Sequence, residues 1–453
     1  MKQEDSTSEP LLRVSRSPPL RGTVTVPGDK SISHRALLFG ALADGPVTIS
    51  GLGAGGDNAS TMAALRVLCV PIQQAGTDAR VEGVGLAGLQ AAASALDCGN
   101  SGTTMRLFCG LLAGRPFVST LTGDRSLSRR PMARVATPLR SMGAAIDGRQ
   151  DAARPGDLFP PLTVRGGTLQ GIEYQLPVAS AQIKSALILA GLQARGRTVI
   201  SEPGLSRDHS ERMLRFFGAP VSVQAEQRSV VVDPTGWNGR LRAGAVSVPG
   251  DLSSAAFLLV AALIVPESDV TVENVGLNPT RTGVLDALHA MGADLQVKGT
   301  GQAMGEPVGS VRARWSGSGL RGITVAGELA LRSIDEIPAL AVAAAMAEGT
   351  TEFGDLRELR VKESDRIACI ARELGRAGVA VREAPNGFSV TGTGGRPSQG
   401  GQVQPDGDHR IAMAGAILGL VASEATLVPS QDIATSFPSF AQLLQRLGAL
   451  VSP

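Results

Sequence analysis

Two stretches of the 453-residue chain decide its fold: TVTVPGDKSIS at residues 23–33 and VSVPGDLSSA at residues 246–255. Each has a β-branched run, a Pro-Gly-Asp turn and a polar helix start, and the two turn prolines, Pro27 and Pro249, lie 222 positions apart. A long stretch that returns at such a distance indicates an internal duplication. We therefore predict two similar halves that meet at these turns.

Outward from the turns, one helix-like pattern recurs six times at intervals of about 75 residues, each copy ending in a small-residue stop. The copies carry Arg, Glu and Gln on one face, which predicts helices on the surface. They cover residues 61–69, 134–143, 210–218, 282–292, 365–378 and 439–448.

A second set of six helices alternates with the first. These helices are apolar on nearly every side after a polar start, which predicts that they are buried. They begin near residues 28, 98, 179, 250, 333 and 407. Short β-branched runs predict strands between the helices, at residues 24–26, 47–49, 198–200, 230–232 and 270–272. Each unit is then an α/β repeat with one inner and one outer helix.

The first Pro-Gly-Asp turn comes so early that the N-terminal strand is expected to belong with the C-terminal half. This gives a continuous domain at residues 29–250 and a discontinuous domain at residues 1–28 and 251–453, connected by two chain crossings. A hinge and an interdomain cleft follow from that arrangement. The first twenty residues are charged, rich in proline and without the apolar core of a secretory signal, so we interpret them as a short polar tail.

Composition excludes several classes of protein. The chain has 43 Lys and Arg against 41 Asp and Glu, so no overall field favours nucleic acid. Its apolar stretches are too short for the roughly 20 residues that span a bilayer. Its four cysteines and four histidines are scattered without metal-ligand spacing or a disulfide pattern. We expect a cytoplasmic protein that binds no nucleic acid, membrane or metal.

Two glycine-containing stretches resemble nucleotide-binding motifs. Residues 51–56 read Gly-x-Gly-x-x-Gly, but the strand before them is short and the other repeats lack the pattern. In residues 28–31, Asp29 separates the glycine from the lysine that a P-loop places side by side. Neither a dinucleotide site nor a nucleoside-triphosphate site is expected.

Polar residues gather where the predicted helices start. A helix start has free backbone N–H groups and a partial positive charge, which suits phosphate and carboxylate ligands. Lys362 and Arg366 lie at i,i+4, so one helical face can hold two cations around Glu363. Lysine itself is scarce, with five residues against 38 arginines, which marks each one as a candidate: Lys2, Lys30, Lys184, Lys298 and Lys362. If the repeats point the same way in both halves, these helix starts face one cleft.

The motifs together resemble the 5-enolpyruvylshikimate-3-phosphate synthase family over nearly the whole chain. Ten stretches carry the resemblance: PGDKSISHRA (27–36), GNSGTTMR (99–106), LTGDRSLSRRPM (121–132), SAQIKSA (180–186), RDHSERM (207–213), NPTRTG (278–283), IDEIP (334–338), ELRVKESDR (358–366), GDHRIAM (407–413) and ATSFPSF (434–440). The resemblance implies two similar domains of three βαβαββ units each, with a double crossover. Thr435, Glu358 and Arg207 depart from the best-known branch and look like the family's divergent second class.

The resemblance also implies a reaction. The family transfers the enolpyruvyl group of phosphoenolpyruvate to the 5-hydroxyl of shikimate 3-phosphate, releases phosphate, uses no metal or organic cofactor, and usually works as a monomer. The implied contacts to shikimate 3-phosphate are Lys30, Ser31, Arg35, Ser180, Gln182, Arg207, Asp335 and Lys362. Those to phosphoenolpyruvate are Lys30, Gly102, Arg130, Gln182, Arg366 and Arg410.

The reaction requires several proton transfers, and these indicate the candidate catalytic residues. Glu363 is the candidate to protonate the methylene carbon of phosphoenolpyruvate and later to remove that proton. Asp335 is the candidate to accept the hydroxyl proton, with Glu336 as the alternative for this second role. Lys30 would stabilise charge at the bridging oxygen or share in proton transfer. Because Gly102 has no side chain to crowd the phosphoenolpyruvate pocket, the resemblance also implies sensitivity to the herbicide glyphosate.

Two other functions stay open. An enolpyruvyl transferase acting on UDP-N-acetylglucosamine shares the fold, but usually has a reactive Cys or an Asp in its place on a mobile loop, and residues 114–130 contain no Cys. A catalytically silent repeat protein that binds anions has no need for two carboxylates in an anion site, which argues against it.

Overall fold

The computed structural model describes residues 10–315, 317 and 319–453. Both predicted sets of six helices are confirmed. The α-helices of the described residues are α1 (Lys30–Ala41), α2 (Gly56–Val67), α3 (Gly85–Gly88), α4 (Gly102–Ala113), α5 (Ala133–Ser141), α6 (Ala181–Gly191), α7 (His209–Phe216), α8 (Leu252–Ile264), α9 (Gly283–Ala290), α10 (Gly327–Arg332), α11 (Ile337–Met346), α12 (Arg366–Arg376), α13 (His409–Gly419), α14 (Ser430–Ala434) and α15 (Phe440–Arg446). Short 3-10 helices cover Leu127–Arg129 and Arg357–Val361.

The strands are short, and they include all five of the predicted ones. In chain order they are β1 (Leu11–Val14), β2 (Arg21–Thr25), β3 (Asp44–Ser50), β4 (Ile72–Ala75), β5 (Asp78–Val84), β6 (Leu96–Asp97), β7 (Val118–Thr122), β8 (Ala145–Arg149), β9 (Phe159–Arg165), β10 (Leu169–Gln170), β11 (Glu173–Gln175), β12 (Ala194–Arg195), β13 (Thr198–Ser201), β14 (Val221–Gln224), β15 (Ser229–Val232), β16 (Gly244–Ser247), β17 (Asp269–Gly276), β18 (Asp294–Ala303), β19 (Glu306–Arg314), β20 (Thr324–Val325), β21 (Thr350–Phe353), β22 (Ala380–Ala384), β23 (Gly387–Thr391), β24 (Gly401–Gln402), β25 (Thr426–Pro429) and β26 (Val451–Ser452).

Six four-stranded sheets repeat one arrangement, in which a parallel pair is followed by two antiparallel pairs. Their strand orders are β16-β3-β5-β4, β6-β7-β9-β8, β11-β13-β15-β14, β2-β17-β19-β18, β20-β21-β23-β22 and β24-β25-β1-β26. The strands β10 and β12 form a further two-stranded parallel pair. The sixfold α/β repeat, three units to each half, is therefore confirmed.

The two halves exchange a strand at the Pro-Gly-Asp turns. Strand β2 precedes α1 in the chain but pairs with β17, placing Val24 beside Val272, whereas β16 precedes α8 but pairs with β3. At the crossing, the Asp29 N–H donates to the Pro249 carbonyl at 2.8 Å and the Asp251 N–H donates to the Pro27 carbonyl at 2.9 Å. The two connections between the halves are thus hydrogen-bonded to each other.

A buried arginine holds this crossing together. Arg281 Nη2 donates to Asp251 Oδ1 at 3.0 Å and to Ser253 Oγ at 2.6 Å, and Arg281 Nη1 donates to Asp29 Oδ2. Asp29 and Asp251 are also the N-caps of α1 and α8, accepting from Ile32 N and Ser253 N. One guanidinium therefore neutralises the caps of both helices that follow the turns.

The apolar side chains form two cores that follow the same division. One core is built from buried residues between 32 and 248, joined by Met304, and the other from residues 12–26 and 252–451. The inner helices α8 and α11 are buried at every residue, as their all-round apolar sequence predicts. The domain limits at residues 28/29 and 250/251 stay a prediction.

The polar-tail interpretation of the first twenty residues is wrong for residues 11–14 and for Leu20, which is buried in the core. Leu11–Val14 lies between β25 and β26 in their sheet, and Leu12 and Val14 are buried in the core, because strands more than 400 positions later in the chain pair with it on both sides. Residues 1–9 of that interpretation lie outside the described residues. The described helices include none with the length and hydropathy needed to cross a bilayer.

The glycine-rich residues 51–56 pack closely against the backbone of other segments of the chain. A side chain at Gly28 would come within 1.8 Å of the Gly51 carbonyl oxygen, and one at Gly55 within 2.7 Å of the Thr435 carbonyl oxygen. These glycines allow close backbone packing beside the crossing. This packing explains the glycines without a bound dinucleotide.

Candidate active site

Two adjoining pockets of about 150 and 110 Å³ lie where the halves meet. Both are lined from each half, and they share eight residues: Ser31, Thr103, Ser180, Gln182, Arg207, Asp335, Glu358 and Lys362. The larger is lined by eight cationic side chains and five carboxylates, a surplus of positive charge suited to anionic ligands.

Helix starts supply much of this lining, as the sequence predicts. Lys30 and Gly102 are the first residues of α1 and α4, and Ser180 caps α6. Arg410 is the second residue of α13, whose cap Asp408 accepts from the Arg410 N–H at 3.0 Å. The positive ends of four inner helices therefore border the same pocket.

Lys30 is paired inside the pocket. Its Nζ lies 2.9 Å from Asp57 Oδ2 at the start of α2. Burial alone would lower the pKa of Lys30, but Asp57 and Glu363 raise it above its ordinary value. Lys30 therefore carries its charge into the pocket at neutral pH.

Asp335 lies among cations from both halves. Arg207 Nη2 is 2.8 Å from Asp335 Oδ2, Arg366 Nη1 is 3.4 Å from its Oδ1, and Lys362 Nζ is 3.9 Å away. Burial alone would raise the pKa of Asp335, but the surrounding cations, led by Arg410 and Arg207, hold it well below its ordinary value. Asp335 is therefore an ionised carboxylate.

Glu363 is ionised for a similar reason. Arg366 Nη2 donates to Glu363 Oε2 at 2.7 Å, and Arg130 Nη1 lies 4.0 Å from Oε1. Burial alone would raise the pKa of Glu363, but Arg366, Arg130 and Lys30 hold it well below its ordinary value. Arg366 also donates to Asp408 at 2.7 Å, so one guanidinium forms ion pairs with several carboxylates.

Arg35 lines the smaller pocket from α1. Its Nε and Nη2 each donate at 2.7 Å, to Ser210 Oγ and Ser185 Oγ, and its Nη1 donates to the Ser31 carbonyl. Burial lowers the pKa of Arg35 to about 10, so it remains charged at neutral pH. Hydroxyl partners leave that charge available to a ligand.

Gln182 is fixed by two neighbours. Its Nε2 donates to Thr103 Oγ1 at 2.8 Å, and Arg106 Nη1 donates to its Oε1 at 2.8 Å. Next to it, a side chain added at Gly102 would meet Arg106 Nη1 at 2.6 Å and Arg130 Nη1 at 3.4 Å. A glycine at this position therefore leaves room for two guanidinium groups.

Most of the residues predicted from the sequence line these pockets. The exception is Arg366, which is 1% exposed and lies behind Glu363 and Asp335. Glu336, the alternative to Asp335, is also fully buried and lines neither pocket. Its Oε1 accepts a hydrogen bond from Ser253 Oγ and lies 3.4 Å from Arg281 Nη2.

Several lining residues went unpredicted: Asp57, Arg106, Arg134, Asp251 and Arg281. Arg106 ends the GNSGTTMR motif four residues after Gly102, so helical spacing was a usable signal. Asp57 starts a helix just after the glycine-rich stretch, which was a second signal.

Comparisons with known proteins agree on one family. A sequence model described as EPSP synthase (3-phosphoshikimate 1-carboxyvinyltransferase) matches residues 14–444. The 3-phosphoshikimate 1-carboxyvinyltransferase of Synechococcus sp. (strain JA-3-3Ab) is 53% identical over 445 residues, covering 98% of each chain. That of Geobacter sulfurreducens is 49% identical, covering 94% of this chain and 97% of the relative.

A solved structure gives the same result. The EPSP synthase of Acinetobacter baumannii matches with a TM-score of 0.86 at 42% identity, covering 98% of this chain and 99% of the other. This confirms the two-domain enolpyruvyl transferase fold. Since the matches run along nearly the full length of each chain, this chain belongs to the EPSP synthase family.

Proposed function

We propose that the paired pockets carry out the family's reaction, with Asp335, Glu363 and Lys30 as catalytic residues. That reaction transfers the enolpyruvyl group of phosphoenolpyruvate to the 5-hydroxyl of shikimate 3-phosphate and releases phosphate. One observation carries the assignment of the carboxylates. Asp335 and Glu363 contact the same buried guanidinium, Arg366, at 3.4 and 2.7 Å, and both line the larger pocket with Lys30.

The two substrates would divide the space between the pockets. Of the residues proposed for shikimate 3-phosphate, Arg35 lines the smaller pocket and not the larger one, which favours that pocket for this substrate. Six others line both pockets: Ser31, Ser180, Gln182, Arg207, Asp335 and Lys362. Gly102, Arg130 and Arg410, proposed for phosphoenolpyruvate, line the larger pocket and not the smaller one. Lys30 lines the larger pocket and would reach both substrates. Arg366 would act on phosphoenolpyruvate from behind Glu363.

In the first step, the 5-hydroxyl oxygen bonds to C2 of phosphoenolpyruvate while a proton is added to C3. Asp335 would accept the hydroxyl proton, and Glu363 would deliver the proton to the methylene carbon. The product is a tetrahedral intermediate that still carries phosphate. Lys30 would stabilise negative charge at the bridging oxygen.

In the second step, the C–O bond to phosphate breaks and a proton leaves C3, restoring the double bond. The group that gave the C3 proton would take it back, so Glu363 ends the cycle as it was after substrate binding. Phosphate takes the electron pair of the broken bond, and Arg130 and Arg410 would stabilise its charge. The proton that Asp335 accepted in the first step would pass to the departing phosphate, which returns Asp335 to its ionised form.

Substrate charge would prepare Glu363 for this work. The surrounding cations hold the pKa of Glu363 well below its ordinary value, which makes it a poor carrier of protons. Anionic phosphate and carboxylate groups in the pocket would offset those cations and raise the pKa of Glu363. Proton transfer would therefore depend on both substrates being present. Since side chains provide this charge, we propose that no metal or organic cofactor takes part.

We further propose a monomer that works in the cytoplasm, with residues 29–250 and the remainder moving as two domains that close on the substrates. The four free cysteines support a reducing compartment. Light scattering on the purified protein would measure its mass, and a dimer would contradict the proposed monomer.

The test of the reaction is phosphate release from phosphoenolpyruvate with either shikimate 3-phosphate or UDP-N-acetylglucosamine as acceptor. We expect release with shikimate 3-phosphate alone, and a loss of at least about 100-fold in Asp335→Asn and Glu363→Gln, within the range for acid–base catalysis. Glu348→Gln, at an exposed site away from both pockets, is the control and should match the wild type. Release with the nucleotide sugar, or full activity in both variants, would contradict the proposal.

A further inference from the structure

A buried charge cluster lies beside the smaller pocket without lining it. Lys184 of α6 is 2% exposed, and its Nζ lies 2.8 Å from Glu202 Oε1 and 2.8 Å from Glu211 Oε1. Both carboxylates are buried as well. Burial alone would lower the pKa of Lys184, but Glu211 and Glu202 raise it above its ordinary value. The cluster thus holds one positive and two negative side chains away from water.

Buried ion clusters are costly to form. Removing charges from water costs several kcal/mol per ion, and well-packed apolar residues are often as stable in their place. A cluster whose charges do not balance is expected to stabilise the fold even less. Its contacts with neighbouring residues indicate a different use.

The first such contact leads to Arg207. The Ser206 N–H donates to Glu202 Oε1 at 3.1 Å, and Ser206 Oγ donates to Glu202 Oε2 at 2.6 Å. Ser206 immediately precedes Arg207, whose guanidinium lines both pockets. The carboxylate of Glu202 therefore fixes the backbone that presents Arg207.

The second contact leads to Arg35. Ser210 and Ser185, which accept from Arg35, are the chain neighbours of Glu211 and Lys184, and their hydroxyls lie 2.6 Å apart. Among the described residues, Arg35 has no carboxylate within 4.0 Å. Because no carboxylate in the described part of the chain contacts the buried Arg35 guanidinium directly, the surplus negative charge of the cluster balances its positive charge from a distance. Glu211 is the carboxylate that most opposes the lowering of the Arg35 pKa.

We propose that Lys184, Glu202 and Glu211 are positioning residues that hold Arg35 and Arg207 in place for shikimate 3-phosphate. This inference rests on the proposed function of the smaller pocket. Lys184 keeps two repelling carboxylates together, Glu202 sets the backbone before Arg207, and Glu211 supplies negative charge near Arg35. None of the three touches the substrate.

The test is calorimetric titration of shikimate 3-phosphate into the intact protein without phosphoenolpyruvate. We expect Kd to rise about tenfold or more in Lys184→Met and in Glu202→Gln, the effect of losing one charge-assisted hydrogen bond. Lys184→Arg, which keeps the charge, should recover most of the affinity. Leu189→Ala, equally buried on the same helix, is the control: it should lower thermal stability and leave Kd unchanged.

A double variant separates positioning from a general loss of stability. If Glu202 acts through Arg207, then Glu202→Gln should change Kd by less than about twofold in an Arg207→Ala background, because the coupled group is already gone. Should Lys184→Met fail to fold, Glu202→Gln decides alone, since it keeps the Lys184–Glu211 pair. Wild-type Kd in folded Glu202→Gln would overturn the inference. Absence of binding by the wild type would instead overturn the proposed function.

Discussion

Arg207 Nη2 lies 2.8 Å from Asp335 Oδ2, and this ion pair connects the two halves of the chain across the pocket. Arg130 and Glu363 face each other across the same gap at 4.0 Å. In each pair the cation comes from residues 29–250 and the carboxylate from the other half. A bound phosphate would compete for these arginines, so substrate binding would replace contacts between the halves with contacts to the ligand.

The charge of Asp335 should make stability depend on pH. Because surrounding cations lower its pKa in the folded state, Asp335 adds stability above its ordinary pKa of about 4, and that contribution is lost as pH falls toward the folded-state value. We expect the free energy of unfolding of the wild type to fall more steeply below about pH 5 than that of Asp335→Asn. Urea unfolding at a series of pH values measures both slopes, and parallel curves would contradict the expectation.

Asp57→Asn should lower the pKa of Lys30, because it removes the negative charge beside the Lys30 ammonium group. Asp57 is the strongest of the groups that raise the pKa of Lys30, so the neutral variant should let that pKa fall. If Lys30 must be protonated, the alkaline limb of kcat/KM moves to lower pH, and kcat/KM at neutral pH falls about tenfold or more. Asp78→Asn, at an exposed site, serves as the control. A pH profile that overlays the wild type would show that Asp57 does not act through Lys30.

Gly102→Ala should alter the pocket that we propose for phosphoenolpyruvate. The added methyl would lie 2.6 Å from Arg106 Nη1, so that guanidinium must shift and its bond to Gln182 must weaken. We expect KM for phosphoenolpyruvate to rise several-fold and the inhibition constant for glyphosate to rise more. Steady-state inhibition assays measure both. Gly375→Ala, where an added methyl meets open space, should change neither value.

The same assays test the sensitivity of the wild type to glyphosate. Without a side chain at Gly102, inhibition is expected at low phosphoenolpyruvate. Activity that survives glyphosate on the order of millimolar would contradict the prediction made from the resemblance.

Arg281→Met should destabilise the crossing between the halves. The variant leaves Asp29, Asp251 and Glu336 buried without their shared cation, which typically costs about 3–5 kcal/mol. Arg314→Met removes a pair whose side chains are 42% and 38% exposed, so its cost should stay within about 1 kcal/mol. Equilibrium urea unfolding compares the two, and equal losses would show that Arg281 has no special role.

Much of the fold was predictable because burial leaves a local mark on sequence. Helices α8 and α11 are apolar on every side because they are surrounded by protein, and α12 alternates polar and apolar faces because one side meets solvent. Such patterns need only a few neighbouring residues to detect. Strand β1 escaped detection because its partners begin at Thr426, and no local pattern reports so distant a pairing.

The site was predictable in part for the same reason. Lys30, Gly102 and Arg410 stand at helix starts, where polar residues interrupt an apolar pattern. Arg366 was expected to line the pocket, yet it is buried behind two carboxylates, because three anionic side chains converge on it from separate elements. Only the three-dimensional arrangement reveals that convergence.

The strand exchange has a consequence for how the protein is made on the ribosome. Strand β1 is synthesised well before both of its partners, β25 and β26, which begin more than 400 positions later. Strand β2 must likewise wait for β17, more than 240 residues later. Exposed β-branched segments are prone to aggregation during such delays. The nascent chain therefore has to shield β2 until β17 is made and β1 until β25 is made, and the sheet that contains β1 can form only once residues 426–452 have been synthesised.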